Sequence, residues 1–166
     1  MSSLEGLSFS VTIKDELQCR GKDLKIIGCY DSEIFIESSV KSLYVVGCGS
    51  CNIYVAACER VAFIDKCEKI SLTIATNLLR VCNTMDSTIY SYSPSPIILT
   101  GDNRSLCLGP NNSASKDLKS HLKAANISFS PENSHQYKNI LCKTESNSYE
   151  IMKPIDFDVL VLPNKP

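Results

Sequence analysis

The sequence predicts an all-β fold, a right-handed parallel β-helix with about 18–19 residues in each coil. Short apolar segments recur along the first two thirds of the 166 residues and fall into two sets. The first set begins at Leu24, Leu43, Val61, Leu79 and Ile97, and the second at Ile34, Ile53, Leu72, Ile89 and Leu106. Apolar and polar residues alternate within the segments, as in strands with one buried face. A strand–helix–strand unit needs roughly 30 residues, so stacked coils of two short strands explain this period better.

The spacing of the cysteines agrees with stacked coils. Cys29, Cys48 and Cys67 recur every 19 residues, which predicts a ladder of small side chains at a crowded corner. The chain has nine cysteines and no secretory signal, so reduced, buried thiols are favoured over disulfides. A zinc site that joins Cys48 and Cys51 to Cys58 and Cys67 is the alternative. The last two cysteines lack the spacing of a second Cys-x-x-Cys pair, so we expect no metal and no cofactor.

The repeat divides one structural domain into three parts. They are a capping coil (1–23), the β-helix (24–112) and a C-terminal part of helix, loop and tail strand (113–166). Leu118 and Leu122 lie one helical turn apart within residues 114–125, which predicts a short amphipathic helix that closes the C-terminal end. We expect one strand at 140–142 and a tail strand at 157–162 along the outside of the β-helix.

Composition excludes several classes of function. Seventeen basic and eighteen acidic residues give a net charge of −1, which argues against a nucleic-acid partner. No apolar run approaches the roughly 18–20 residues of a membrane span, and Ser2 in place of glycine excludes N-myristoylation. We therefore expect a cytoplasmic protein. His121 and His135 have no nucleophile or carboxylate pair at a suitable spacing, so the chain is not predicted to catalyse a reaction alone.

The outward positions of the predicted strands form a candidate binding surface. They form two columns, Lys25, Tyr44, Ala62, Arg80 and Ile98 in the first and Ile27, Val46, Ile64 and Cys82 in the second. Apolar residues stacked on an outer face form a flat patch that the tail or a partner should cover. Arg80 stands in mid-strand on this face. Its planar guanidinium on a stiff strand suits the phosphate oxygens of a partner, although a solubilising surface arginine is the alternative.

The segment Ala75–Asn112 resembles the C-CAP/cofactor C-like domain of tubulin-binding cofactor C, the retinitis pigmentosa GTPase-activating protein and the cyclase-associated proteins. In the GTPase-activating members, two glutamines and an apolar residue precede an arginine finger. Arg80 matches that arginine and Leu79 the apolar residue, whereas Asn77 and Leu78 stand at the positions of the glutamines.

The sequence is most similar to the TBCC domain-containing branch of this family, which is associated with centrosomes, basal bodies and Golgi positioning. The similarity rests on Pro96–Gly101, Leu106–Leu108, Pro110, Asn112, Pro154–Phe157 and Pro163. The acidic residue that the GTPase-activating members carry one coil after the finger corresponds to Leu99 here.

The resemblance implies a protein-interaction domain that docks tubulin or an Arf-like small GTPase at microtubule-organising structures. It also implies an alternative, a GTPase-activating protein in which Arg80 stabilises charge on the γ-phosphate and Asn77 contributes an amide, while the GTPase supplies the nucleotide and magnesium. Actin-monomer binding, as in the cyclase-associated proteins, is a lower alternative. The expected partner-binding residues are Lys25, Tyr44, Val46, Ala62, Ile64, Cys82 and Ile98.

Overall fold

The strands of the computed structural model, which describes residues 2–142 and 147–163, wind into a parallel β-helix of about six coils. The strands are β1 (Ser2–Glu5), β2 (Val11–Lys14), β3 (Asp23–Ile27), β4 (Glu33–Val40), β5 (Ser42–Val46), β6 (Asn52–Asp65), β7 (Ser71–Cys82), β8 (Thr88–Tyr92), β9 (Ile97–Thr100), β10 (Leu106–Pro110), β11 (Ile140–Cys142) and β12 (Tyr149–Ile151). The helices in these ranges are α1 (Glu16–Cys19), α2 (Leu118–Ala124) and two 3₁₀ helices, Pro131–Lys138 and Pro154–Asp156.

Two sides of the coil carry most of the strand pairing, and the named strands pair in parallel. The first side stacks β1, β3, β5, the end of β6, the end of β7, β9 and β11. The second side stacks β2, β4, the start of β6, the start of β7, β8, β10 and β12. The all-β class and the parallel β-helix predicted from the repeat are confirmed.

The inward column on the first side differs from the prediction by one residue in the coil that contains the end of β6. Leu43 pairs with Ala62 rather than Val61, and Ala62 pairs with Leu79. A bulge in β6 between Cys58 and Val61 shifts the register. Every residue from 61 to 64 is apolar, so alternation alone does not identify the inward face.

The expected positions of two binding residues are consequently wrong. Ala62 and Ile64 were assigned to the outer face, but both are fully buried in the core. A smaller shift affects the second side, where Ile89 pairs with Leu108 rather than with Leu106. Leu106 is buried as well, so it was predicted on the correct face but with the wrong pairing partner.

Left-handed residues at the same two corner positions turn each coil from the first side to the second. The first position holds Gly6, Gly28, Gly47, Lys66, Asn83 and Gly101, and the second holds Phe9, Asp31, Ser50, Lys69, Asp86 and Ser105. Glycine adopts this conformation at little cost. At Gly101 it also avoids a clash, because an added Cβ would lie 2.5 Å from Oδ1 of Asn83.

The cysteine ladder predicted from the 19-residue spacing lies inside this corner. Cys29, Cys48 and Cys67 are almost fully buried. The thiols donate to backbone carbonyls of the preceding coil, with 3.5 Å from Cys48 Sγ to the Ile26 oxygen and 3.6 Å from Cys67 Sγ to the Val45 oxygen. All nine cysteines are free thiols.

Helix α2 is shorter than expected and lies in a different place. It packs on the side of the β-helix, where Leu122, Ala125 and Ile127 form a cluster with Ala57 and Ala75. These small alanines let the helix approach the coils closely. The prediction that this helix closes the C-terminal end is wrong.

Later residues cover the C-terminal end of the core. Strand β11, predicted at 140–142, pairs with β9, and β12 pairs with β10. Tyr137, Ile140 and Ile151 pack against the core from these segments. The Pro131–Lys138 helix and β12 were not predicted, since the polar composition of this region indicates a loop.

The tail lies along the outside of the second side, as expected, although 157–162 is not a strand. Leu160 forms a single bridge with Ser113 and, together with Leu162, packs on Phe35 and Tyr54. Burial there raises the pKa of Tyr54 to about 12. The described tail therefore covers a stripe on the second side, not the one that contains Arg80.

Asn112 ties the tail to the coils, and we expect its removal to weaken both. Its Oδ1 accepts a hydrogen bond from the Thr73 hydroxyl at 2.7 Å, and its Nδ2 donates to the Asp158 carbonyl at 2.8 Å. Asn112→Ala leaves the buried Thr73 hydroxyl unsatisfied, so the free energy of unfolding in urea should fall by about 1–3 kcal/mol. Hydrogen exchange of the Leu160 amide should accelerate. Thr73→Val is the matched variant that keeps the bond to the tail, and Leu160 protection should survive there; equal loss in both variants would contradict this.

Burial should also control the reactivity of the thiols. Desolvation raises the pKa of Cys29 and Cys51, and that of Cys58 to about 11. Since thiolate is the reactive form, the native protein at pH 8 should react quickly with a thiol reagent only at exposed Cys142 and slowly at Cys107. Cys142→Ser should remove the fast phase, and guanidinium should expose the rest. More than two reactive thiols in the native state would contradict the buried ladder.

Candidate functional site

Arg80 lies in a continuous outward column on the first side of the β-helix. The strand pairing stacks Lys25, Tyr44, Phe63, Arg80 and Ile98 in that order. We call these five residues the Arg80 stripe. Phe63 takes the place that the sequence assigned to Ala62, so the stripe carries an aromatic side chain beside the arginine.

The buried neighbours of Arg80 in β7 fix the direction of its side chain. Leu79 and Val81 on either side of it are fully buried. Because successive side chains of a strand alternate between faces, Arg80 emerges to the outside, and it is exposed. The backbone at Arg80 pairs with Phe63 on one side and Ile98 on the other, so the root of the guanidinium is held in mid-sheet.

Two neighbours orient the guanidinium. Its Cζ lies 5.5 Å from the centre of the Phe63 ring, and its Nε donates to Oγ1 of Thr100 at 3.2 Å. Within residues 2–142 and 147–163, the two terminal nitrogens have no hydrogen-bond or ion-pair partner. The arginine is thus preorganised while the part of its fork that pairs with carboxylate or phosphate oxygens stays available.

The aromatic residues of the stripe pack against each other. The Tyr44 and Phe63 ring centres are 6.5 Å apart in an edge-to-face arrangement. Tyr44, Phe63 and Ile98 are half-buried, and the described tail does not cover them. The result is a flat, partly apolar face with one guanidinium in it.

The neighbouring outward column is more polar than the sequence predicted. It stacks Ile27, Val46, Asp65, Cys82 and Thr100. Asp65 stands where Ile64 was expected, and Val46 lies where it was placed. Cys82 has the expected place in the column but is buried, so it offers no free surface to a partner. Sequence reasoning therefore missed Phe63, Asp65 and Thr100. The 19-residue step from Tyr44 to Phe63, equal to the step from Lys25 to Tyr44, was the signal that pointed to the first of them.

The contacts of Asp65 and Cys82 link this column to the corner. Asp65 Oδ1 accepts from Asn83 Nδ2 at 3.2 Å, and the Cys82 thiol contacts Thr100 Oγ1, the group that also holds Arg80.

Asn77, the second expected catalytic residue, lies apart from the Arg80 stripe. Its Nδ2 donates to the Glu59 carbonyl at 2.7 Å and to the Asn126 carbonyl at 3.3 Å. These bonds fasten the corner between the second and first sides to the segment after α2. The amide is thus used structurally. Leu78 is outward beside Val61 and apolar, and Leu99 is fully buried in the core.

Comparisons with known proteins agree with this architecture. The family model described as tubulin binding cofactor C matches residues 21–140. TBCC domain-containing protein 1 of Danio rerio is 24% identical over 155 residues, which are 90% of this chain and 26% of that protein. The chain therefore spans about a quarter of the length of this relative.

A solved structure shows the same fold. Tubulin Binding Cofactor C from Leishmania major superposes with a TM-score of 0.62 at 18% identity, covering 81% of this chain and 96% of that one. No helix within the described ranges is long and apolar enough to cross a membrane. Because the family model matches most of the chain, the chain belongs to the tubulin binding cofactor C family.

Proposed function

We propose that this chain is a docking domain that binds tubulin or an Arf-like small GTPase through the Arg80 stripe. The observation that carries the proposal is the arrangement around Arg80, whose guanidinium is oriented by Phe63 and Thr100 in a flat and partly apolar face. The names of the matching family and of the related structure both include tubulin, which supports tubulin as one candidate partner.

The chemistry of the stripe favours a partner surface with an apolar patch around an acidic or phosphate group. Tyr44, Phe63 and Ile98 would exclude water around Arg80 in the complex, and an arginine ringed by apolar contacts is a typical interaction hot spot. Lys25 extends the positive charge toward the N-terminal end of the stripe. The proposed location is the cytoplasm at centrosomes or basal bodies, supported by the resemblance to the branch found there.

The binding proposal predicts that Arg80→Ala and Phe63→Ala each weaken association about tenfold or more. Arg80→Ala removes the charge, and Phe63→Ala removes both apolar contact and the ring that orients the guanidinium. Association with αβ-tubulin and with a panel of GTP-loaded Arf-like proteins should be measured by surface plasmon resonance. Arg104→Ala is the matched control, because Arg104 is an exposed arginine paired with Asp102 at a corner. Binding by neither partner class, or equal loss in the control, would contradict the proposal.

GTPase activation is the second candidate, favoured by the exposed Arg80 at the position of the arginine finger. Such a finger contributes on the order of 10³–10⁵ in rate. Because Asn77 already donates to two backbone carbonyls, Arg80 alone would have to stabilise the transition state.

This second candidate predicts that the wild-type chain accelerates GTP hydrolysis by its partner and that Arg80→Ala and Arg80→Lys both abolish the acceleration. Lysine fails because it lacks the planar fork. Single-turnover phosphate release is the measurement. Binding without acceleration by the wild type would leave only the docking function.

A further inference from the structure

Helix α2 and the segment after it form a groove on the side of the β-helix. Leu118 and Leu122, one turn apart on α2, line it together with Ile127 and Phe129 from the segment after the helix. Lys119 and Lys123, also one turn apart and exposed, line its rim. The groove has a volume of about 490 Å³.

Tyr92 fixes the segment that carries Phe129. The Tyr92 hydroxyl donates to the Ser128 carbonyl at 2.7 Å and accepts from the Ser130 amide at 3.0 Å. Phe129, between these two anchors, stacks on the Tyr92 ring at 5.5 Å, and it is 66% exposed. A large aromatic side chain is thus held in water by contacts on both sides of it.

A smaller cavity adjoins the groove. It has a volume of about 170 Å³ and shares Leu118, Leu122 and Phe129 with the groove. Ser91, which is 3% exposed, lines it, and its hydroxyl has no hydrogen-bond partner among the described residues. A cavity of this size holds one side chain of roughly benzene dimensions.

Charge is divided across α2. The lysines lie on the flank of the groove, whereas Asp117 on the other flank faces a second depression that contains Asp15, Glu16 and Glu37. An acidic ligand would be attracted to the lysine flank and repelled from the other.

We propose that this groove binds a short acidic segment of a partner protein through one bulky apolar anchor residue. The anchor packs on Leu118, Leu122 and Phe129, and carboxylates beside it pair with Lys119 and Lys123. The groove lies around a corner from the Arg80 stripe, with Asn77 bonded to Asn126 between them. The site is therefore a second surface, independent of the proposed function of the first.

The test selects ligands without assuming a partner. Phage-displayed random peptides of about 12 residues are selected on the wild-type chain, and the enriched peptide is labelled with fluorescein for anisotropy. We expect enriched peptides with a large apolar residue next to aspartate or glutamate. Phe129→Ala and the double variant Lys119→Glu/Lys123→Glu should each weaken binding about tenfold or more. The same peptide with its acidic residues changed to lysine should regain affinity for the double variant.

Matched controls separate this site from others. Lys22→Glu/Lys66→Glu reverses two exposed lysines outside the groove and should change the affinity less than about twofold, and Arg80→Ala should leave it unchanged. Thermal melts confirm that each variant folds. Peptides without acidic enrichment, binding that survives the charge reversal, or binding lost in Arg80→Ala would overturn the proposal. So would a wild-type dimer that Phe129→Ala converts to monomer in sedimentation, because the occupant would then be a second copy.

Discussion

The structure depends on turning every coil at the same place. Each of six successive coils has a left-handed residue with φ between 48° and 70° at the first corner position and another with φ near 50° at the second. Most of these residues are not glycine, and the left-handed conformation of each non-glycine residue is strained. Single parallel bridges join each corner to the next, in the series Tyr30–Gly49, Gly49–Glu68, Glu68–Met85 and Met85–Arg104. Because each coil hydrogen-bonds to the one before it, the corner of one coil fixes the corner of the next. Inward columns then remain in phase, and the core becomes continuous.

This dependence explains how far the sequence could be interpreted. The period is visible because an apolar residue that follows a polar one recurs after 19 residues, at Leu24 and Leu43 on one side and at Ile34 and Ile53 on the other. The register is hidden at 61–64, where four consecutive apolar residues satisfy both faces equally. There, the bulge in β6 between Cys58 and Val61 sets which residues face inward. The position of α2 was equally hidden, since its partners Ala57 and Ala75 resemble ordinary core residues until the coils are stacked.

The one-residue shift changes the chemistry of the candidate site. An alanine beside Arg80 would leave a flexible cation on a bare strand. Phe63 instead offers a ring face that attracts the guanidinium, an interaction of about 0.5–1 kcal/mol at exposed sites. Thr100 fixes Nε from the next coil. The arginine is thus oriented from two adjacent coils before any partner arrives, which reduces the ordering cost of binding. Arg80 was identified from the sequence, but the residues that orient it come from coils separated by 17 to 20 positions.

The same geometry shows where the site around Arg80 differs from that of the GTPase-activating relatives. In those relatives two glutamine amides precede the finger; here Asn77 spends its amide on the Glu59 and Asn126 carbonyls, and Leu78 has none to offer. The corner gains rigidity because it is fastened to the segment that follows α2. The face around Arg80 keeps charge and apolar surface but loses the neighbouring amides that could position water or phosphate. Such a change favours a stiff face that binds over one that completes a catalytic site, and for that reason we propose docking ahead of activation for this member of the family.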